Sequence, residues 1–467
     1  MTGKRLELVR GLGGWAAAAI VVGTMIGTGI FIVPADMARA AGSIGIVLAV
    51  WVVGGALSLF GALSYAELGA AIPEAGGEYA YLRRAISPVW GYLFGWMHSI
   101  LGRPTSIATI AAGLLRFWGF LVPAVATPIF VWHIALPFGS KPYDFVFTWA
   151  QPLAVLAIAA VTFLNCLGVR LGGQVQVTLT LIKIASVLAV VAVGFALGHG
   201  SAANFRPLLP AAGVATLGGF LAALVGALWA YDGWSNVNLV GSEVMNPQKN
   251  IPRALVGGVA IVGALYILMT LACFYVLPFS AVAASAHVAS DVVASVTGRG
   301  AASWLTAAMI ICALGTLNSS ILSGARVDYA MARDGLFFRS LAEVDERFRV
   351  PARALIFQGC LASVLALSGT FEELYSLFIF AGWIFYGLAT ASVFFLRRKE
   401  PNLARPYRTW GYPVVPALFV LGALALTVNL WMDRPWRCTI GLVLILFGLF
   451  FYRIWNRAPS DVPNAKE

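Results

Sequence analysis

Gly23-Thr24-Met25-Ile26-Gly27-Thr28-Gly29 interrupts an apolar run that extends from Leu12 to Val33. Closely spaced glycines make a helix cheap to unwind. Unwinding inside a bilayer frees backbone N–H and C=O groups, which are tolerated only where they line a cavity or meet a ligand. A half-helix starting near Thr28 would aim its positive end and free N–H groups at the break, which suits a carboxylate. Gly23 and Gly27 also fit the small-xxx-small spacing by which membrane helices pack closely. Taken alone, the stretch supports packing and anion binding equally.

The chain around it belongs in a bilayer. Of its 467 residues 60% are hydrophobic and 11% charged, where soluble domains carry roughly 25% charged residues. Apolar runs predict twelve spans, near 12–41, 44–69, 88–119, 149–168, 171–198, 214–243, 254–278, 301–333, 351–369, 373–396, 411–430 and 436–456. The runs are apolar all round, so they are helices and not barrel strands, which would alternate apolar and polar residues. The fold class is thus an all-α polytopic membrane protein forming one integral membrane domain.

The net charge of +11 suggests no nucleic-acid partner, because the basic residues are scattered through short connectors. With a cytoplasmic amino terminus, Arg39, Arg116, Lys141, Arg206, Arg299, Arg434 and Arg437 fall outside. A larger set, from Lys4, Arg5 and Arg10 through Arg83, Arg84 and Arg397 to Lys466, falls inside. This bias places both termini in the cytoplasm and the chain in the cell membrane. Cys166, Cys273, Cys312, Cys360 and Cys438 lack metal-type spacing and read as packing residues. The first apolar run precedes Ala38-Arg39-Ala40 but is too long for a signal peptide.

Five spans after the first break comes Trp229-Ala230-Tyr231-Asp232-Gly233-Trp234-Ser235-Asn236. Glycine-interrupted helices at corresponding positions point to a transporter built as an inverted five-plus-five repeat. The first repeat covers about 12–198, the second about 214–396, and two extra helices about 411–456. Asp232 either caps the second half-helix, accepting N–H groups near Ser235, or pairs with a substrate ammonium. Trp229, Tyr231 and Trp234 read as packing residues, one of which can close over a solute as a gate.

Lys183 lies near the middle of the fifth span, too deep to snorkel. It is either a fixed ammonium tying the broken first helix to a neighbour through carbonyls and hydroxyls such as Thr316 or Ser320, or a proton carrier. Arg103, before Pro104, is expected at a kink with freed carbonyls as partners. No H-x-x-x-H pair and no Walker lysine appears, so neither an enzyme, a cofactor nor ATP-driven transport is expected.

The segments Gly23 to Phe31, Ser64 to Gly69 with Gly76 to Leu82, Arg103-Pro104, Tyr231 to Trp234, Asn246-Pro247 with Asn250 to Pro252, and Arg405 to Tyr407 with Gly411 to Pro413 resemble the amino acid-polyamine-organocation (APC) superfamily. Within it they are similar to the L-type amino acid transporters (LAT family). The resemblance implies the LeuT-type fold, with spans one and six discontinuous, working by alternating access. By motif position it places the substrate carboxylate on Thr28 and Gly29, and the ammonium on the carbonyls of Met25 and Trp229 with Asp232. It makes Trp229 the gate and puts Tyr386 in the side-chain pocket. Lys183 matches the lysine that replaces a sodium ion in sodium-independent members.

Position 232 is glycine in relatives that carry large neutral amino acids. Aspartate resembles members accepting cationic amino acids and cystine, and also bacterial exchangers of small neutral ones. Animal relatives attach to a glycoprotein through a cysteine that the 120–148 loop lacks, so a carrier working without a disulfide-linked heavy chain or other accessory subunit is expected. The leading expectation is a sodium-independent exchanger of neutral, or also cationic, L-amino acids. The alternatives are a proton-coupled symporter using Lys183 and a nutrient receptor without transport, which the lack of a signalling tail disfavours.

Overall fold

The computed structural model describes residues 8, 10–27, 29–134, 143–197, 200–209, 217–368 and 371–457. Thr28 lies outside the described residues, as do Lys4, Arg5, Lys141, His199 and Lys466.

The chain is a polytopic helical membrane protein. Its apolar runs become α1 (Gly14–Met25), α2 (Gly29–Ala41), α3 (Ile44–Ala71), α4 (Glu78–Ala85), α5 (Pro88–Met97), α6 (Arg103–Leu121), α7 (Ala150–Cys166), α8 (Val169–Ala192) and α9 (Leu217–Tyr231). There follow α10 (Asn236–Leu239), α11 (Pro247–Val276), α12 (Phe279–Ala284), α13 (Val288–Thr297), α14 (Arg299–Arg333), α15 (Ala352–Ser368), α16 (Phe371–Lys399), α17 (Val414–Asp433) and α18 (Pro435–Arg457).

Eight helical stretches among the described residues are long and apolar enough to cross a membrane, the paired α1 and α2 counting as one. The expected third span is instead split. A π-turn at His98–Gly102 separates α5 from α6, the kind of interruption that marks functional sites. The expected sixth span stops at Tyr231, and the one-turn α10 follows the break. The fourth and ninth become the 17-residue helices α7 and α15.

Two connectors hold structure that apolar patterning did not foretell. An antiparallel hairpin pairs β1 (Pro128–Ile134) with β2 (Tyr143–Thr148), in keeping with the aromatic and β-branched run Ile129-Phe130-Val131-Trp132. The short helices α12 and α13 pack beside α2.

α1 sits between α8, α11 and α14, while α2 lies along α9, so the two broken spans meet in the centre of the bundle. Backbone pairing stitches one face shut. Gly11 N and Leu12 N donate to Glu243 O at 3.0 Å each, Met245 N donates to Leu12 O at 2.8 Å, and Gly76 N donates to Leu239 O at 3.0 Å. Glu243 in turn accepts Arg326 Nε at 2.9 Å and Nη2 at 3.2 Å. On the same face Glu67 accepts Arg397 at 2.9 and 2.7 Å and the backbone N–H of Thr409 at 2.7 Å, which clamps the segment before α17 to α3.

Arg326 and Glu243 are 0% and 2% exposed at their side chains, so removing one partner strands a buried charge. Arg326→Ala is expected to destabilise the protein by roughly 3–5 kcal/mol, whereas Arg326→Met combined with Glu243→Leu recovers most of that loss. Thermal unfolding of the purified variants in detergent measures both, and an unchanged midpoint for the single variant contradicts the account.

Candidate functional site

A helix that stops in mid-membrane leaves its last carbonyls without partners, and here those of α1 find different donors. Val22 O accepts Ile26 N at 2.9 Å. Gly23 O accepts Lys183 Nζ at 2.5 Å, and the same ammonium donates to Thr316 Oγ1 at 2.5 Å. Met25 O accepts Gly27 N at 2.8 Å and Tyr266 Oη at 2.5 Å. Thr24 Oγ1, in the last turn of α1, lies 2.7 Å from Ser319 Oγ and anchors α1 to α14.

At the end of α9, Asp232 N donates to Trp229 O at 3.1 Å and Tyr266 Oη reaches Ala230 O at 2.9 Å. A phenol has one hydrogen to give. Tyr266 of α11 therefore bridges the two breaks, serving Met25 O or Ala230 O in turn.

Two glycines permit this approach. A Cβ at Gly29 would lie 2.9 Å from the Cα of Ala230. Gly233 has φ +101, and a Cβ there would lie 2.4 Å from Thr24 Cγ2. Side chains at either place would force the half-helices apart.

Between the breaks is a cavity of about 20 Å³ walled by Met25, Gly27, Gly29, Trp229, Asp232, Thr316 and Ser320. The structure thus brings most of the expected site residues to one place. Gly23 and Lys183 lie beside the cavity and brace it. Of the two hydroxyls expected near Lys183, Thr316 takes the ammonium, while Ser320 faces the cavity one turn further along α14. Tyr386 is not part of this wall. It stands behind Asp232 and donates to its Oδ1 at 2.9 Å.

Two further expectations change. The N-cap of α10 is Ser235, which makes no side-chain cap bond, and Asp232 instead accepts from Tyr386 and from the backbone N–H of Gly233. Arg103 donates to Asn236 Oδ1 at 2.8 Å and to His98 Nε2 at 3.3 Å, side-chain partners in place of freed carbonyls. The π-turn keeps the carbonyls of that kink within the helix.

Tyr266 is the residue that sequence reasoning missed. Its signal was present as a tyrosine deep in an apolar span, whose hydroxyl needs a partner once buried.

Two interrupted helices facing each other inside an apolar bundle define a carrier of small solutes. The chain belongs to the amino acid permease family, whose profile matches residues 12–450. It is similar to the b(0,+)-type amino acid transporter 1 of Homo sapiens, 33% identical over 456 residues that cover 96% of this chain and 88% of that protein. The serine/threonine exchanger SteT of Bacillus subtilis is 31% identical over 443 residues, covering 93% of this chain and 94% of that one. The human cystine/glutamate transporter is 30% identical, covering 98% and 86%. The chain is accordingly an APC-type amino acid transporter and not an enzyme.

Tyr266→Phe removes the bridging hydrogen and leaves Ala230 O buried without a donor. A loss of roughly 1–3 kcal/mol is expected, read as a lowered unfolding midpoint of the purified protein. An unchanged midpoint would mean the two breaks do not depend on this phenol.

Proposed function

We propose that this protein is a sodium-independent exchanger of neutral L-amino acids, with cationic ones also admitted at Asp232, working by alternating access. The carrying observation is Lys183, whose ammonium lies 2.5 Å from both Gly23 O and Thr316 Oγ1. A fixed charge fills the place where a coupling cation would otherwise hold the broken helix to α8 and α14. The satisfied ammonium favours a brace over a proton carrier. Exchange as the mode is supported by the similarity to a protein named as a serine/threonine exchanger.

In this reading the substrate carboxylate meets the start of α2 at Thr28 and Gly29. The α-ammonium meets the carbonyls of Met25 and Trp229, and Asp232, with Oδ1 held by Tyr386, adds a negative charge through its other oxygen. Trp229 closes the site. A cavity of about 20 Å³ has room for about one water, so an amino acid enters only as the halves part.

The same reading takes the fold as twelve spans in a five-plus-five inverted repeat, over about 12–198 and 214–396 with two helices added over 411–456. The helices α7, α15 and the pairs α5 with α6 and α9 with α10 supply the four spans beyond the eight long ones. The stitched face is the cytoplasmic side of the cell membrane and carries both termini, and the carrier works without an accessory subunit.

Proteoliposomes loaded with unlabelled alanine or serine are expected to take up the labelled amino acid several-fold faster than empty ones, with no change when sodium is replaced by choline. Lysine and arginine compete with the wild type and lose that competition in Asp232→Gly. Bound substrate with zero flux would make the protein a receptor, and uptake indifferent to internal substrate would contradict exchange.

A further inference from the structure

Behind Asp232 lies a second cavity of about 20 Å³, bounded by Glu78, His98, Arg103, Ser235, Gly382 and Tyr386. The Tyr386–Asp232 hydrogen bond stands between it and the substrate cavity. Its charges do not balance. Arg103 has three carboxyl groups within electrostatic reach, those of Asp232, Glu78 and Asp328. Among the described residues its hydrogen bonds nevertheless go to the neutral side chains of Asn236 and His98. Three ionised carboxylates against one guanidinium would leave excess negative charge sealed in an apolar interior, which costs several kcal/mol per uncompensated ion.

The hydrogen bonds identify which carboxyl relieves this. Both oxygens of Asp328 accept, one from Ser99 Oγ and the other from Gln358 Nε2 at 3.4 Å, and Asp232 accepts from Tyr386. Ser235 and its own backbone N–H reach the Glu78 carboxyl, but of the three groups only Glu78, 1% exposed, has an oxygen, Oε2, buried without a hydrogen-bond partner, where a negative charge is costliest. His98 accepts from Arg103 through Nε2, which puts the proton of the neutral ring on Nδ1.

We propose that Glu78 is a proton-binding site of the transport cycle, taking up a proton as this cavity closes and releasing it as the cavity opens. The coupling lies in its position. Glu78 directly follows Gly76-Gly77, where Gly76 N pairs with Leu239 O at the end of α10 and Ala75 bridges Val240. Parting of that stitched face, the motion exchange requires, moves the segment carrying Glu78 away from Arg103 and admits water.

The charged and titratable groups around Glu78 are His98 and Arg103 at the π-turn, Asp232 at the sixth break and Tyr386 of α16. Tyr65 of α3 and Tyr81 of its own helix complete the set, with Asp328 beyond Arg103. Burial raises the carboxyl of Glu78, which stands in the connector between α3 and α5, to about 7. The site then fills below that pH and empties above it.

The inference rests on the exchange cycle proposed above, and its test separates the two. Alanine exchange by the full chain in proteoliposomes, at equal pH on both sides, is expected to rise about tenfold from pH 8 to pH 6, the ratio of protonated fractions for one site titrating near 7. Glu78→Gln, which mimics the protonated group, should exchange at the acid-pH rate throughout, and Glu78→Asp should keep the slope. Calorimetry of alanine binding at pH 6, in two buffers of different ionisation enthalpy, should show about one proton taken up by the wild type and none by Glu78→Gln. Exchange that is flat from pH 6 to 8, a slope that survives in Glu78→Gln, or wild-type binding without proton uptake overturns the proposal. Binding with proton uptake but no flux supports the proton site and instead counts against exchange.

Discussion

Everything in this protein depends on how two opened stretches of backbone are satisfied inside an apolar bundle. A continuous helix needs nothing from its neighbours for its hydrogen bonds, but a broken one must be repaired by other helices or by a ligand. At the first break the repair comes from the Lys183 ammonium, which the Thr316 hydroxyl holds by accepting its other bond, and at both breaks from the Tyr266 phenol. These donors hold Gly23 O, Met25 O and Ala230 O, and they fix the distance between the half-helices. The start of α2, left pointing at the cavity, is then available to a bound anion.

The repair also divides labour between the two ends of the molecule. The central carbonyls are held by hydrogen bonds from Lys183, Tyr266 and the backbone N–H of Gly27. The stitched face is held differently, by backbone pairing of residues 11–12 with 243–245, by the buried Arg326–Glu243 pair and by the half-buried Arg397–Glu67 pair. A paired charge with several hydrogen bonds is costly to separate in a low-dielectric setting. The second cavity joins these two regions, because Glu78 is tethered to the stitched face and stands beside Asp232.

Much of this was legible in the chain. The apolar runs gave most of the eight long spans within a few residues, since hydrophobicity in a bilayer is nearly synonymous with the helix itself. The breaks showed as Gly27, Gly29 and Gly233, and the cavity residues Met25, Trp229, Asp232 and Thr316 came with them. What was hidden depended on contacts between distant elements. Tyr266 is unremarked in a run of apolar residues until α11 is laid beside both breaks. The same holds for Glu78 and Arg103, whose roles follow from meeting over a cavity and not from any local pattern. The π-turn at His98–Gly102 was anticipated as a kink from Pro104, but its partners were not, because a guanidinium can reach in several directions. The hairpin of β1 and β2 carried a β-propensity that the apolar reading of the loop passed over.

The claim on which the account turns is that both charged ends of one amino acid fit between the two breaks. It is tested most directly by the thermal stability of the purified protein with alanine, compared with lactate, which lacks the ammonium, and ethylamine, which lacks the carboxylate. At about 100 times its dissociation constant alanine should stabilise the fold by roughly 2.7 kcal/mol, with neither analogue shifting the midpoint and Gly29→Ala abolishing the response. Equal stabilisation by either analogue, or none by any amino acid, would contradict it.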